Sequence, residues 1–333
     1  MKNKVVQVLL AAKNIAIYSH INIDCDGMGS ALALREALLQ KGAETVDVFV
    51  NSSLPSSFTF YGDLSFLNKK TISNGYDLVV CLDAPSDARL GKYKFTYRKG
   101  VKNTLCIDHH IKNESYCKLN YVKDASSTAE ILFDVLMDMS VNLTETICKY
   151  LISGIATDTG KFTHTVTDKT FAVLSKLLKF GKLKIEDISN ELFNSMKMEV
   201  FDLIKLAYEK LEFYADNKLG IIMFSRSDFE KTGTTLDDVD AIPDMPLQVG
   251  TVKFAILASE DDQGYFRVSL RSKGDTISAR AVAESFGGGG HFNASGCKIF
   301  GEFDEVKQKL LDSVSEILGW KLWWIIFVDL LIL

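Results

Sequence analysis

The chain has 333 residues, 47% of them hydrophobic and 24% charged, and a formal net charge of −5. That length supports about two domains, and the composition excludes a disordered chain, a collagen-like fibre and a small disulfide scaffold. The negative balance also excludes a general nucleic-acid coat, because any polyanion has to be met by a local basic or metal-bearing patch.

The opening stretch, 1–10, is basic and then apolar, but it breaks at Lys13 and Asn14, so no signal peptide is expected. The run 15–18 suits a buried strand, and 30–40 is built of strong helix formers stopped by Gly42. Strands are predicted over 46–50, 77–82 and 104–107. Ser127 with Glu130 reads as a capping box opening a helix over 128–139. Helices over 144–156 and 168–180 follow, the second ended by Gly181. Strands alternating with helices predict an α/β fold with a doubly wound, mainly parallel sheet.

Residues 182–214 read as charged helix without strong strand signals. Strands over 219–224, 252–258 and 265–271, a helix over 277–285, a four-glycine run, a strand over 296–300 and a helix over 303–318 then make a second, smaller α/β lobe. The expected division is 1–183 for the first domain, 184–214 for a helical connector, 215–320 for the second domain and 321–333 for an apolar tail without an assigned role. The tail is shorter than the about 20 residues that cross a bilayer and is interrupted by Asp329, so no stable membrane insertion is expected. None of the six cysteines forms a CxxC pair. They read as reduced, buried residues of a cytoplasmic protein.

Chemistry-bearing residues gather at the ends of the predicted strands, which in a doubly wound sheet is where ligands bind. His20 precedes Asp24 and Asp26, in a stretch where Gly27 and Gly29 allow a tight turn before a helix. Carboxylates crowded in this way repel one another or demand a cation. Asp83 ends the 77–82 strand, either as a helix cap or as a site residue, and Arg89 nearby either binds phosphate or pairs with a carboxylate. Asp108, His109 and His110 end the 104–107 strand, and adjacent side chains there point apart. Asp158 closes an apolar helical run in Asp158-Thr159-Gly160, a weak signal alone because turns favour all three types. Oxygen ligands mixed with imidazole suit Mn²⁺. One histidine and two aspartates from the first stretch, Asp83, one histidine of the 108–110 triplet and Asp158 make six candidate ligands, which suit two ions about 4 Å apart with one carboxylate bridging. In the second lobe, Gly287 to Gly290 and His291 read either as a flexible loop or as a phosphate cradle, and Arg267 and Arg271 share one strand face.

In order and spacing, His20-x₃-Asp24-x-Asp26, Asp83 with Arg89-Leu90-Gly91, Asp108-His109-His110 and Asp158-Thr159-Gly160 resemble the four motifs of the DHH phosphoesterase superfamily. Ser269-Leu270-Arg271-Ser272 and the Gly-Gly-Gly-Gly-His291-x-Asn-Ala-Ser-Gly segment resemble its DHH-associated domain, so the likeness runs to about Leu318. One departure is Ile23, where the family commonly has proline; that proline shapes a loop and ligates nothing. The resemblance implies a Mn²⁺-dependent phosphoesterase, with Mg²⁺ as the alternative metal and an active-site cleft between two lobes. It implies that His20 and Asp24 hold one ion and Asp26, His109 and Asp158 the other, with Asp83 bridging. His110 is implied to contact the scissile phosphate or assist proton transfer. Arg89 is the first lobe's candidate for phosphate, while Arg271, the Gly288, Gly289 and Gly290 backbone and His291 are implied to grip the substrate.

A compact two-lobe chain looks like the oligoribonuclease and 3′-phosphoadenosine 5′-phosphate phosphatase group. The expected substrates are short oligonucleotides such as pApA and nucleotide phosphates, with no long duplex nucleic acid as partner. A cyclic-dinucleotide phosphodiesterase and a RecJ-like single-strand exonuclease are the enzymatic alternatives. A nucleotide-binding regulator is the non-enzymatic one, and a homodimer is left open. An inorganic pyrophosphatase is disfavoured by the glycine-histidine signature.

Overall fold

Five short apolar runs within the first 122 residues become the strands of one parallel sheet. The computed structural model describes residues 1–51, 54, 56–68, 75–194, 196–239 and 242–321. It divides into two compact units, Met1–Ser195 and Met196–Leu333.

The first unit runs α1 (Lys2–Ala11), β1 (Asn14–Tyr18), α2 (Cys25–Gln40), β2 (Thr45–Phe49), β3 (Leu78–Leu82), β4 (Asn103–Asp108), β5 (Leu119–Val122), α3 (Thr128–Asp138), α4 (Glu145–Asp158), α5 (Asp168–Gly181) and α6 (Ile185–Phe193). The strand order is β2-β1-β3-β4-β5, all parallel. From β1 the chain crosses first to β2 on one side and then to β3 on the other. The carboxyl ends of β1 and β3 therefore flank the switch point at which open α/β sheets bind ligands.

Strand side chains alternate between two cores. Ile15, Ile17, Leu78, Val80, Leu105 and Ile107 pack under the helices. Ala16, Tyr18, Val79, Cys81 and Cys106 face an aromatic layer of Phe49, Tyr76, Tyr93 and Tyr97. The sheet is thus mainly parallel and covered on both faces, but 3₁₀ turns over Asp87–Phe95 stand on the second face. Gly91 (φ 58, ψ −126) breaks the segment into two short turns. A Cβ at that position would meet the Asn51 side chain and Ile21.

Helix α2 starts five residues before the predicted 30, capped by Asp24, whose Oδ1 accepts from the N–H groups of Asp26 and Gly27. Gly27 and Gly29 are therefore inside the first turns of a helix, and their role is close packing instead of a tight turn. A Cβ on Gly29 would sit 2.4 Å from the Tyr150 carbonyl of α4, and one on Gly154 of α4 would sit 2.7 Å from Asp26 Oδ1. Only half of the predicted capping box forms. Ser127 accepts from the Glu130 N–H, but the Glu130 carboxylate turns away to Ser126 and Thr170.

The second unit runs α7 (Met198–Glu209), β6 (Glu212–Tyr214), β7 (Leu219–Phe224), α8 (Arg226–Thr232), β8 (Phe254–Glu260), β9 (Tyr265–Ser272), α9 (Ala279–Ser285), β10 (Gly289–Gly290), β11 (Ala294–Phe300) and α10 (Phe303–Leu318). Its mixed sheet has the order β10-β11-β9-β8-β7-β6, antiparallel except for β7 with β8. Helices α9 and α10 close one core, and α7 and α8 contribute to another.

The segment expected as a connector is shared out. Ile188 of α6 packs into the first unit's core, while Leu203, Leu206 and Ala207 of α7 pack into the second's. Strand β6 also forms there, where no strand was expected. The apolar stretch 322–333 lies outside the described residues. Among the described residues no helix is long and apolar enough to cross a membrane.

Candidate metal centre

Four chain segments carry acids and imidazoles to one edge of the first sheet. His20 follows β1, Asp24 and Asp26 open α2, Asp83 follows β3, His109 and His110 follow β4, and Asp158 is the last residue of α4. Asp83 adopts φ 54, a left-handed conformation that Asp tolerates better than most residues. Its backbone N–H donates to the Ile107 carbonyl of β4, which ties the second motif to the third.

The Asp83 carboxylate divides its two oxygens. Oδ2 lies 3.3 Å from His20 Nε2, while Oδ1 lies 3.5 Å from His109 Nε2 and 3.6 Å from His110 Nδ1. His20 Nε2 is also 3.5 Å from Asp24 Oδ1, and His109 Nε2 is 3.4 Å from Asp158 Oδ2. Three groups with ligand atoms mutually within 4.8 Å result: His20–Asp24–Asp83, Asp83–His109–His110 and Asp26–His109–Asp158. All six residues expected as ligands converge.

The donor set fits divalent cations. His20 Nδ1 is 2.8 Å from its neighbour's carbonyl, that of Ile21, and His109 Nδ1 is 3.3 Å from the Ala125 carbonyl. An N–H at each Nδ1 satisfies these contacts and leaves the Nε2 lone pairs facing carboxylate oxygens. That pairing is repulsive unless a proton or a cation lies between them. The metal-free electrostatics record the same demand. Burial opposes charge on His20, but Asp24 and Asp83 overcome it and push its pKa up to about 10. Burial, then Asp83, Asp158 and Asp24, hold Asp26 well above the usual carboxylate range. Burial, with Asp83 and Asp24 against relief from His109, pushes Asp158 up to about 6. Burial also pushes the Cys25 thiol up to about 11, and no cysteine belongs to the three ligand groups among the described residues.

The residues that hold the centre in place come from elsewhere in the chain, and sequence reasoning missed most of them. The first N–H groups of α3 bind both oxygens of Asp26, Thr128 N to Oδ2 at 2.7 Å and Ala129 N to Oδ1 at 2.9 Å. The Thr128 hydroxyl donates to Asp83 Oδ1 at 3.1 Å. The capping signal at Ser127 marked this helix start, but nothing local marked its target. Asp108 is fully buried and accepts from His110 Nδ1 at 2.7 Å, so it orients that imidazole. Arg89 Nη2 lies 3.3 Å from His20 Nδ1 and 3.5 Å from the Ile21 carbonyl, at the edge of the cluster. His164 sits in the exposed turn after Asp158 and belongs to none of the three groups.

In the second unit, Arg271 is on β9, its Nη1 donating to the Leu270 carbonyl at 3.1 Å and its Nε 3.5 Å from Asp244 Oδ1. Arg267 on the same strand lies 3.8 Å from Asp237 Oδ1. The glycine run differs from a loop of free N–H groups. Gly288 donates to the Ala283 carbonyl as α9 ends, and Gly289 and Gly290 pair with Gly296 and Ser295 of β11. A Cβ on Gly288 would fall 2.2 Å from the Gly296 carbonyl, so close backbone packing requires glycine there. His291 occupies the exposed hairpin turn that follows, its carbonyl accepting from Ser295.

Residues 14–155 match the DHH family, N-terminal domain, and residues 216–319 match the DHHA1 domain. A Streptococcus mutans protein named "Probable bifunctional oligoribonuclease and PAP phosphatase NrnA" is 28% identical over 304 residues, covering 90% of this chain and 94% of the relative. The Thermus thermophilus protein "Bifunctional oligoribonuclease and PAP phosphatase NrnA" is 28% identical over 324 residues, covering 94% and 93%. The fold is shared with an exopolyphosphatase-related protein from Bacteroides fragilis, at a TM-score of 0.87, 23% identity and 95% coverage of both chains. With its four motif segments meeting at one sheet edge and both domains present in order, the chain belongs to the DHH family of phosphoesterases.

Proposed function

We propose that this protein is a Mn²⁺-dependent hydrolase of short oligoribonucleotides such as pApA, releasing nucleoside monophosphates, and of 3′-phosphoadenosine 5′-phosphate, releasing AMP. The observation that carries the reading is the division of Asp83, one oxygen toward His20 and the other toward His109. A carboxylate shared in this way suits two cations. His20 and Asp24 serve one, and Asp26, His109 and Asp158 serve the other, with Asp83 common to both. When bound, such a pair supplies Lewis-acid polarisation of a phosphoryl group and a water nucleophile available at neutral pH. The oxygen and imidazole donors favour Mn²⁺, with Mg²⁺ second.

The chain's own residues do the rest. His110, with Nδ1–H fixed on Asp108, offers Nε2 to the scissile phosphate or to the leaving oxygen. Arg89 is assigned to a substrate phosphate, and Arg271 and His291 to substrate binding; the Gly288 N–H is already committed to the Ala283 carbonyl, so the expected glycine cradle is not part of the assignment. The two relatives named for oligoribonuclease and PAP phosphatase activity, each matched along more than nine-tenths of its length, support this substrate class. The net charge of −5 argues against a long polymer. The absence of paired cysteines agrees with a cytoplasmic protein.

The test is a substrate panel of pApA, longer oligomers, a cyclic dinucleotide and 3′-phosphoadenosine 5′-phosphate, with product analysis after chelation and after Mn²⁺ or Ca²⁺ addition. The expected result is Mn²⁺-restored release of AMP from pApA and from the bisphosphate. Turnover that is indifferent to chelation refutes the metal mechanism. Turnover confined to the cyclic dinucleotide refutes the substrate assignment.

A further inference from the structure

Asn113 stands five residues after Asp108, and its amide is held at both ends. Its Oδ1 accepts from the Ser115 N–H at 2.8 Å, where Ser115 adopts φ 52. Its Nδ2 donates to Asp108 Oδ2 at 2.6 Å and also lies 3.5 Å from the Ala84 carbonyl and from Cys106 Sγ. The other oxygen of Asp108 accepts from the His109 N–H at 2.9 Å and from His110 Nδ1 at 2.7 Å. The fully buried carboxylate is thus held by Asn113 on one oxygen and by the two histidines on the other.

We infer that Asn113 is a positioning residue: it fixes the plane of the Asp108 carboxylate, and through Asp108 it fixes the imidazole of His110. Two further contacts brace the segment that carries it. Glu114 N donates to the Pro85 carbonyl at 2.8 Å, and the Tyr116 hydroxyl to the Ala84 carbonyl at 3.0 Å. Both anchors lie just beyond Asp83, so the loop that carries Asn113 is stitched to the loop that presents the shared ligand. A carboxylate free to rotate about its terminal torsion would let His110 swing, because that torsion is broad. The amide removes this freedom by occupying the oxygen that His110 does not use. The consequence for turnover rests on the role proposed for His110; the consequence for imidazole orientation does not.

The test uses full-length protein carrying Asn113→Asp and Asn113→Ala. The first keeps the size and shape of the side chain, removes the donor and faces Asp108 with a second carboxylate. In metal-free protein labelled with ¹⁵N-histidine, the wild type is expected to show a downfield, exchange-protected Nδ1–H signal for His110, and both variants to lose or shift it. With Mn²⁺, kcat on pApA is expected to fall roughly 10- to 100-fold with KM nearly unchanged, as for other partners that orient a site from behind. Asn113→Gln, which can still reach Asp108, is expected to recover part of the loss. An unchanged His110 signal in Asn113→Asp overturns the inference, and so does a loss expressed in KM alone. If His110→Ala leaves turnover intact, the fault lies with the role given to His110, and the imidazole signal alone decides for or against Asn113.

Discussion

Replacing Asp83 with asparagine isolates its proposed role as shared ligand from everything else the residue does. Asparagine tolerates the left-handed φ of 54. It keeps the side-chain volume, and its Oδ1 still accepts from the Thr128 hydroxyl. What it removes is charge from two of the three ligand groups at once. In metal-free protein two effects oppose each other. The variant loses an attraction to His20 at 3.3 Å, and it relieves the repulsion that Asp83 exerts on Asp26 and Asp158. The metal-free melting temperature therefore stays near that of the wild type. With metal the two proteins separate. An ion at a hundred times its Kd stabilises the wild type by about 2.7 kcal/mol. For the Met1–Ser195 unit that corresponds to a rise in Tm of roughly 5–11 °C. Asp83→Asn should lose most of that rise, because weakening the site a hundredfold brings the ion close to its Kd. Turnover of pApA should fall by at least roughly 100-fold, the upper end of what residues behind a metal site command. Differential scanning fluorimetry with and without Mn²⁺, beside a rate assay, reads both. A variant that keeps the metal-induced shift and normal turnover would refute the shared-ligand reasoning.

Three further outcomes follow from single contacts. Arg271→Ala should raise KM for pApA about tenfold or more, the worth of one charge-assisted hydrogen bond, and leave a small generic phosphodiester nearly unaffected; equal effects on both would contradict a substrate-gripping role. In Gly27→Ala the new Cβ lies 2.4 Å from Ser19 Oγ and 3.2 Å from His20 Nε2. A stability loss of roughly 1–3 kcal/mol is expected with weakened metal binding by calorimetry, and adding Ser19→Ala should recover part of it. Burial alone would raise Asp228, but bonds from Lys210 and Ser225 outweigh it and hold the carboxyl below its usual range. A folded pKa below the unfolded one stabilises above about pH 3.9, and the gain is lost as pH falls through the folded value. Asp228→Asn, which removes the ion pair with Lys210, should therefore cost up to about 1 kcal/mol at pH 7 and progressively less in acid, as read from urea midpoints; a pH-independent difference would contradict this.

What the sequence determined by itself is the set of parts. Apolar runs ending in Asp83 and in Asp108-His109-His110 marked strands with chemistry at their tips, because strand burial and the loss of it are written in consecutive residues. Alternation of strands and helices determined the parallel sheet, and the order and spacing of four motifs determined the six converging ligand candidates. The tertiary structure decided how those parts are held and what the glycines do. That Gly29 serves packing depends on α4, whose Tyr150 carbonyl would lie 2.4 Å from a Cβ there, and that Gly27 does so depends on Ser19, whose hydroxyl would lie 2.4 Å from one. That Asp26 has both oxygens bound depends on N–H groups 102 and 103 residues away in the chain. Gly288 reads as a phosphate cradle locally and is a packing residue because of Gly296 on the neighbouring strand. Caps and periodicity act over three or four residues. The contacts that aim a ligand join segments whose separation along the chain carries no local signal, and only folding brings them together.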